Sequence, residues 1–212
     1  MTPLVKICGL TDEDSIDVAL DAGADFLGFV FFDKSPRNVT AEQAAELTQF
    51  VEGVEKVGLF VNPTDEFLAE VLTHVRLDIL QFHGDESPER LDQIRQDFAI
   101  PVMKSLAISD AEDLRAAEAF FPVVDYLLFD ATPPKGSDRP GGNAVSFDWT
   151  LLQAFHCPVP WLLAGGLTPE NVAEALRVSG AAGVDVSSGV EKAPGIKDAE
   201  KIRRFIAAIK QI

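Results

Sequence analysis

Side chains that cross-link chains or bind metals are scarce here. Two cysteines, Cys8 and Cys157, and three scattered histidines stand among 212 residues. Two cysteines cannot form a disulfide framework, and the set is too small for a metal cluster or a zinc site. No metal and no cofactor are therefore expected. Long apolar runs are also missing. No stretch approaches the length that crosses a bilayer, and Met1-Thr2-Pro3-Leu4 has no basic segment leading into an apolar one. A cytoplasmic protein with no membrane partner is expected. Positive charge is in deficit as well: 18 Lys and Arg face 34 Asp and Glu, a formal net charge of −16. That excludes a nucleic-acid partner, because phosphate backbones need a basic surface. The acidity reads as solvated helix faces that favour solubility.

What remains is 47% hydrophobic and 25% charged, the balance of a globular chain long enough to bury a core as one domain, residues 1–212. Short apolar runs recur along it: 4–7, 26–31, 56–61, 79–82, 102–106, 126–129, 161–163 and 183–186. Runs that are almost wholly apolar suit parallel strands covered on both faces. Between them lie helical segments with start signals: Thr11 before 12–22, Thr40 before 41–50, Thr64 before 65–74, Ser87-Pro88 before 89–98, Asp110 before 111–120, Thr168-Pro169 before 170–179, and a last helix over 198–209. Oxygen side chains at such positions accept orphaned N–H bonds, and proline loses nothing at the first helical position. Eight βα units predict a parallel eight-stranded (β/α)8 TIM barrel of the α/β class. A doubly wound sheet is the competitor, but Cys8-Gly9-Leu10-Thr11 after the first strand lacks the glycine pattern that fold would carry there.

Two glycine-bearing turns near the C-terminus point to a ligand. Gly165-Gly166 follows the seventh strand and Ser187-Ser188-Gly189 the eighth. Successive unhindered N–H groups make an anion site, and barrels hold phosphate after their last two strands. A phosphorylated small-molecule substrate is expected. Barrel active sites lie at the C-terminal strand ends, which selects further residues. Cys8 ends strand one, either as a small buried hydrophobe or, with its pKa lowered, as a base or nucleophile. Arg37, beyond strand two, is a solvated loop residue or a planar fork for a carboxylate. His83 follows strand four, to bond loop backbone or to act in the site. Asp130 follows four apolar residues at the barrel mouth, where partial desolvation suits a general acid, or else it braces the next loop. That loop, 131–147, is the longest connection and reads as a flap over the substrate. A thiol and a carboxyl group without a redox motif suggest proton transfer, hence a phosphosugar isomerase or lyase.

The chain resembles the phosphoribosylanthranilate isomerase family of tryptophan biosynthesis. The likeness rests on Val5-Lys6-Ile7-Cys8-Gly9-Leu10-Thr11, Gly28-Phe29-Val30-Phe31 with Ser35-Pro36-Arg37, Leu80-Gln81-Phe82-His83-Gly84, Leu163-Ala164-Gly165-Gly166-Leu167-Thr168-Pro169-Glu170, and Asp185-Val186-Ser187-Ser188-Gly189-Val190-Glu191 with Pro194-Gly195 and Lys197-Asp198. The motifs span nearly the whole chain in the family's order. The resemblance implies an Amadori rearrangement of N-(5'-phosphoribosyl)anthranilate, with Asp130 as general acid on the ring oxygen and Cys8 as general base at C2'. It implies Arg37 at the anthranilate carboxylate and phosphate binding by Gly165, Gly166, Ser187, Ser188 and Gly189. His83, Gly142 and Asp185 fall in motifs near the substrate. One departure stands out: the flap reads Gly141-Gly142-Asn143-Ala144 where the family carries Gly-Gly-Ser/Thr-Gly. Ala144 would be strained if that position needs positive φ. Alternatives are another phosphosugar barrel isomerase or a catalytically silent phosphate-binding barrel, and the chain is expected to work as a monomer or homodimer.

Overall fold

The computed structural model describes residues 2–132, 141 and 146–212. Gly142, Asn143 and Ala144, and with them the flap expectation, lie outside the described residues. Eight strands, β1 (Leu4–Cys8), β2 (Phe26–Phe31), β3 (Glu55–Phe60), β4 (Ile79–Phe82), β5 (Val102–Ile108), β6 (Tyr126–Ala131), β7 (Trp161–Leu163) and β8 (Gly183–Val186), close in sequence order into a barrel. Neighbours are parallel throughout, and β1 seals the ring against β8 with Lys6 opposite Asp185.

Strand alternation divides the side chains into two sets. Phe26, Val57, Ile79, Met103, Leu128 and Leu162 point inward and pack together as the barrel floor. Leu27, Phe29, Phe60, Phe82 and Phe129 point outward into the layer under the helices, where all five are buried. Both faces are covered, which is why the strands read as almost wholly apolar. The same parity sends Lys6 and Cys8 inward from β1, and Asp130 and Asp185 inward from β6 and β8, above the floor.

The helices are α1 (Glu13–Ala22), α2 (Ala41–Thr48), α3 (Asp65–His74), α4 (Pro88–Phe98), α5 (Ala111–Ala117), α6 (Val172–Ser179) and α7 (Ala199–Ile209). Thr40, Thr64, Ser87 and Asp110 cap α2 to α5 through their side-chain oxygens, as their positions foretell. Two starts differ. Asp12, not Thr11, caps α1, while the Thr11 hydroxyl donates to the Gly195 carbonyl 3.3 Å away. α6 begins at Val172 instead of Glu170, because Asn171 is committed to the preceding turn: its Oδ1 accepts from Thr168 N–H at 2.8 Å and its Nδ2 donates to the Gly166 carbonyl at 3.0 Å. Among the described residues, the sixth unit has only a 3₁₀ turn, Trp149–Leu152, where a barrel would place a helix.

The N-terminal end of the barrel repeats one device. Asp25, Asp78 and Asp125, just before β2, β4 and β6, accept an N–H from the first two residues of the preceding strand: Val5 at 2.8 Å, Lys56 at 2.9 Å and Val102 at 2.9 Å. Each carboxylate ties a pair of strands at the face that serves stability. At the opposite end, a hairpin of β9 (Glu191–Ala193) and β10 (Ile196–Lys197) follows β8.

Candidate active site

One open cleft of about 500 Å³ lies over the C-terminal strand ends. Cys8, Arg37, His83, Asp130, Asp185 and Ser187 line it together, although they are spread over 180 residues of chain. Most of its remaining wall is apolar: Val30, Phe32, Leu59 and Val61 come from β2, β3 and the residues just beyond them, and Ser35 and Gly141 complete it.

Asp130 sits within β6, second from its end, and is only 8% exposed. Its Oδ1 accepts the Ala131 N–H at 2.8 Å and its Oδ2 lies 3.3 Å from His83 Nε2. His83 therefore faces the carboxyl group instead of bonding only loop backbone. The loop that carries His83 is held by a buried pair that sequence reasoning overlooked. Lys104 Nζ reaches Glu86 Oε2 at 2.7 Å and the Gly84 carbonyl at 2.6 Å, while Glu86 Oε1 accepts the Asn62 N–H at 2.7 Å.

Cys8 is 3% exposed at the end of β1. Burial pushes its thiol above the ordinary cysteine range; Lys6 and Lys197 oppose that rise and Asp185 adds to it. This corrects the expectation of a lowered pKa, since removal from water penalises the thiolate more than the two nearby ammonium groups stabilise it. Two residues before Cys8 on the same face, Lys6 is fully buried and donates from Nζ to Asp185 Oδ1 at 2.7 Å. Burial works against the Lys6 ammonium, but Asp185 and Cys8 outweigh it and hold its pKa above the ordinary lysine range.

Arg37 is not a solvated loop residue. It is 4% exposed, and its Nε and Nη2 donate to the two carboxylate oxygens of Glu191 at 2.7 and 2.9 Å. The planar fork expected to meet a ligand carboxylate is thus engaged along one edge by the protein itself. Lys197 completes the cluster, donating to Glu191 Oε1 at 2.9 Å and to the Ser187 carbonyl at 3.1 Å. Burial works to raise the Glu191 pKa, yet Arg37 and Lys197 hold it below the ordinary range; burial keeps Lys197 below its own. Glu191 and Lys197 both belong to the hairpin; in the sequence they stand in two of the family motifs, with no role assigned to either.

The two glycine turns meet. Gly165 and Gly166 hold φ of 86° and 61°, left-handed values that favour glycine. Gly189 lies so close to Leu167 that a Cβ there would overlap the Leu167 carbonyl oxygen. Among the described residues, the backbone N–H groups of Gly165, Gly166, Ser188 and Gly189 have no hydrogen-bond partner. Unpaired N–H groups on two adjacent turns are what an anion receptor is built from. Gly165 also abuts β6, since a Cβ on it would come within 3.0 Å of Asp130 Oδ1. The receptor and the carboxyl group are therefore immediate neighbours.

Fold and cleft define a (β/α)8 barrel of the isomerase class, with a thiol and a carboxyl group together at the C-terminal strand ends. The family model for N-(5'phosphoribosyl)anthranilate (PRA) isomerase matches residues 5–208. The N-(5'-phosphoribosyl)anthranilate isomerase of Paramagnetospirillum magneticum is 64% identical, over 96% of this chain and 95% of its own length. That of Rhodospirillum rubrum is 57% identical, over 98% of each. Phosphoribosyl anthranilate isomerase from Thermotoga maritima superimposes with a TM-score of 0.88 at 35% identity, covering 99% of this chain and 100% of the other. The chain belongs to the N-(5'-phosphoribosyl)anthranilate isomerase family.

Proposed function

We propose that the chain isomerises N-(5'-phosphoribosyl)anthranilate to 1-(2-carboxyphenylamino)-1-deoxyribulose 5-phosphate, as a single barrel domain over residues 1–212, and that Asp130 and Cys8 move the protons. The carrying observation is a cleft in which a buried carboxyl group and a buried thiol flank an apolar wall, beside four backbone N–H groups that are unpaired among the described residues. A related isomerase, 34% identical with a TM-score of 0.86, has been solved with reduced 1-(o-carboxyphenylamino)-1-deoxyribulose 5-phosphate bound. Such a ligand has three recognisable parts, and the cleft offers a counterpart to each. Gly165, Gly166, Ser187, Ser188 and Gly189 receive the phosphate. Val30, Phe32, Leu59 and Val61 contact the aromatic ring. Arg37 meets the ring carboxylate through the guanidinium edge that Glu191 leaves over, with Gly142, from the flap, Asp185 and His83 supporting the substrate and the two proton-moving groups.

The chemistry then follows from positions. Protonated Asp130 gives its proton to the furanose ring oxygen; the C1'–O bond breaks and the nitrogen lone pair forms the C1'=N Schiff base. The Cys8 thiolate removes the C2' proton, and the released electron pair forms C1'=C2' while neutralising the nitrogen. The resulting enolamine takes a proton at C1' and loses one from the C2' oxygen, giving the ketone and restoring both groups. No electrons leave the substrate, so general acid–base catalysis is sufficient. All the groups come from one chain, so a monomer or a homodimer serves equally. No helix among the described residues is long and apolar enough to cross a membrane, which accords with a cytoplasmic location.

The reaction is tested by generating phosphoribosylanthranilate in situ and following the loss of its fluorescence. Decay well above the spontaneous rate on adding the protein supports the proposal; decay at the spontaneous rate overturns it.

A further inference from the structure

Lys6 is the one fully buried lysine on the inner face of β1, two positions below Cys8. A lysine ammonium is not taken out of water unless something offsets the lost hydration. Asp185 offsets part, from the strand that seals the barrel, at 2.7 Å. The thiol lies beside it as well. Gly28 of β2 is registered opposite Cys8, and a Cβ on it would lie 2.9 Å from Cys8 Sγ and 3.1 Å from Lys6 Nζ. Both atoms thus crowd one point that only glycine leaves open, and no β2 side chain separates them. Lys6 faces the substrate cleft only through Cys8 and Asp185, since it is not itself among the lining residues.

We propose that Lys6 is a positioning residue that supplies the positive charge against which the Cys8 sulfur ionises, with Asp185 setting how much of that charge the sulfur receives. Asp185 competes with the thiolate for the same ammonium, so the strand pair β1–β8 works as an internal balance. Among the described residues, the other charged or titratable groups around the sulfur are Lys197 from β10, Arg37 beyond β2, His83 beyond β4 and Asp130 from β6. Lys197 is held by Glu191, Arg37 by Glu191, and His83 by Asp130. Lys6 is the cation whose carboxylate partner also acts on the thiol, and it accounts for the largest opposing influence on a thiol that burial drives upward.

The inference rests on Cys8 being the base, but its test reads the sulfur directly. In a Cys157→Ser background, Cys8 is the sole cysteine. Its ionisation is followed by thiolate absorbance at about 240 nm against pH, with the Cys8→Ser protein as blank. Lys6→Met is expected to move the thiol midpoint alkaline by about one pH unit or more. Asp185→Asn is expected to move it the opposite way, because the freed ammonium turns wholly to the sulfur. The double variant Lys6→Met/Asp185→Asn, which leaves no unpaired buried charge, keeps the test decisive if Lys6→Met alone does not fold. It is expected to lie alkaline of Asp185→Asn. The rising limb of kcat against pH should follow each thiol midpoint, so at neutral pH Lys6→Met loses about tenfold in kcat for every pH unit that its midpoint moves. An unmoved midpoint in Lys6→Met, or midpoints moving the same way in Lys6→Met and Asp185→Asn, overturns the proposal. Displaced midpoints with an unmoved kcat limb would uphold the charge balance and instead remove Cys8 from its role as base.

Discussion

Asp130 and Cys8 are placed for opposite tasks by their own neighbours. Asp130 accepts one backbone N–H and faces His83, so its carboxyl group is anchored with one oxygen on the ladder end and the other toward the cleft. Cys8 is held among two ammonium groups and a carboxylate in a nearly dry site. If these are the acid and the base, Cys8→Ala and Asp130→Asn should each lower kcat by about 10²–10⁴-fold, the usual contribution of such groups. Among the described residues, neither side chain hydrogen-bonds to the backbone N–H groups of the two turns, so competitive inhibition by inorganic phosphate should be retained in both. Steady-state kinetics with phosphate as inhibitor measures the two effects separately. Near-normal kcat in either variant would refute that residue's role.

The β9–β10 hairpin belongs to the site because of what Glu191 joins. Its carboxylate holds Arg37 on one side and Lys197 on the other, and Lys197 in turn holds the Ser187 carbonyl. A single side chain thus links the arginine beyond β2 to the turn beyond β8. Glu191→Gln keeps the shape but leaves two buried cations facing a neutral amide. Breaking a buried pair in this way costs about 3–5 kcal/mol, read as a fall in urea-unfolding stability at pH 7. The pH dependence has a definite sign. Glu191 is held below the ordinary glutamate range when folded, so its contribution is complete above that range and lost as pH falls through the lowered value. The gap between wild type and Glu191→Gln should therefore close toward acid; a gap constant from pH 7 to pH 3 would show that Glu191 is not ionised in the fold. This hairpin also marks where reading the chain alone stops. The strands are legible because both their faces are buried, and Cys8 and Asp130 because they stand where apolar runs end. Lys6, by contrast, interrupts such a run with a charge whose partner lies 179 residues away. Glu191, Lys197, Lys104 and Glu86 look like any solvated charges until closure of the barrel buries them. Asn171 belongs by type to a helix cap, and only the fold of the preceding turn diverts it. Pairings made by ring closure leave no local pattern, whereas the periodicity that makes the ring does.

The molecule as a whole carries −16 and yet is built to admit an anion. Near the cleft, among the described residues, Lys6, Arg37 and Lys197 are offset by Asp130, Asp185 and Glu191, three charges of each sign when all are ionised. The site thus presents almost no net field of its own, and a phosphorylated, carboxylated substrate approaching from a distance meets the repulsion of the acidic surface. That repulsion reaches about 30 Å at 0.01 M salt and about 10 Å at 0.1 M. The hydrogen bonds of the backbone receptor act only at contact and are not screened in the same way. Raising sodium chloride from 10 to 150 mM should therefore increase kcat/KM several-fold through KM, with kcat unchanged. If Gly165, Gly166, Ser188 and Gly189 form the phosphate receptor proposed for them, sulfate at the same ionic strength should do the reverse, because it would occupy that receptor as well as screen. A monotonic loss of kcat/KM in sodium chloride would mean that the cations around Cys8 and Arg37, and not the acidic exterior, govern the encounter.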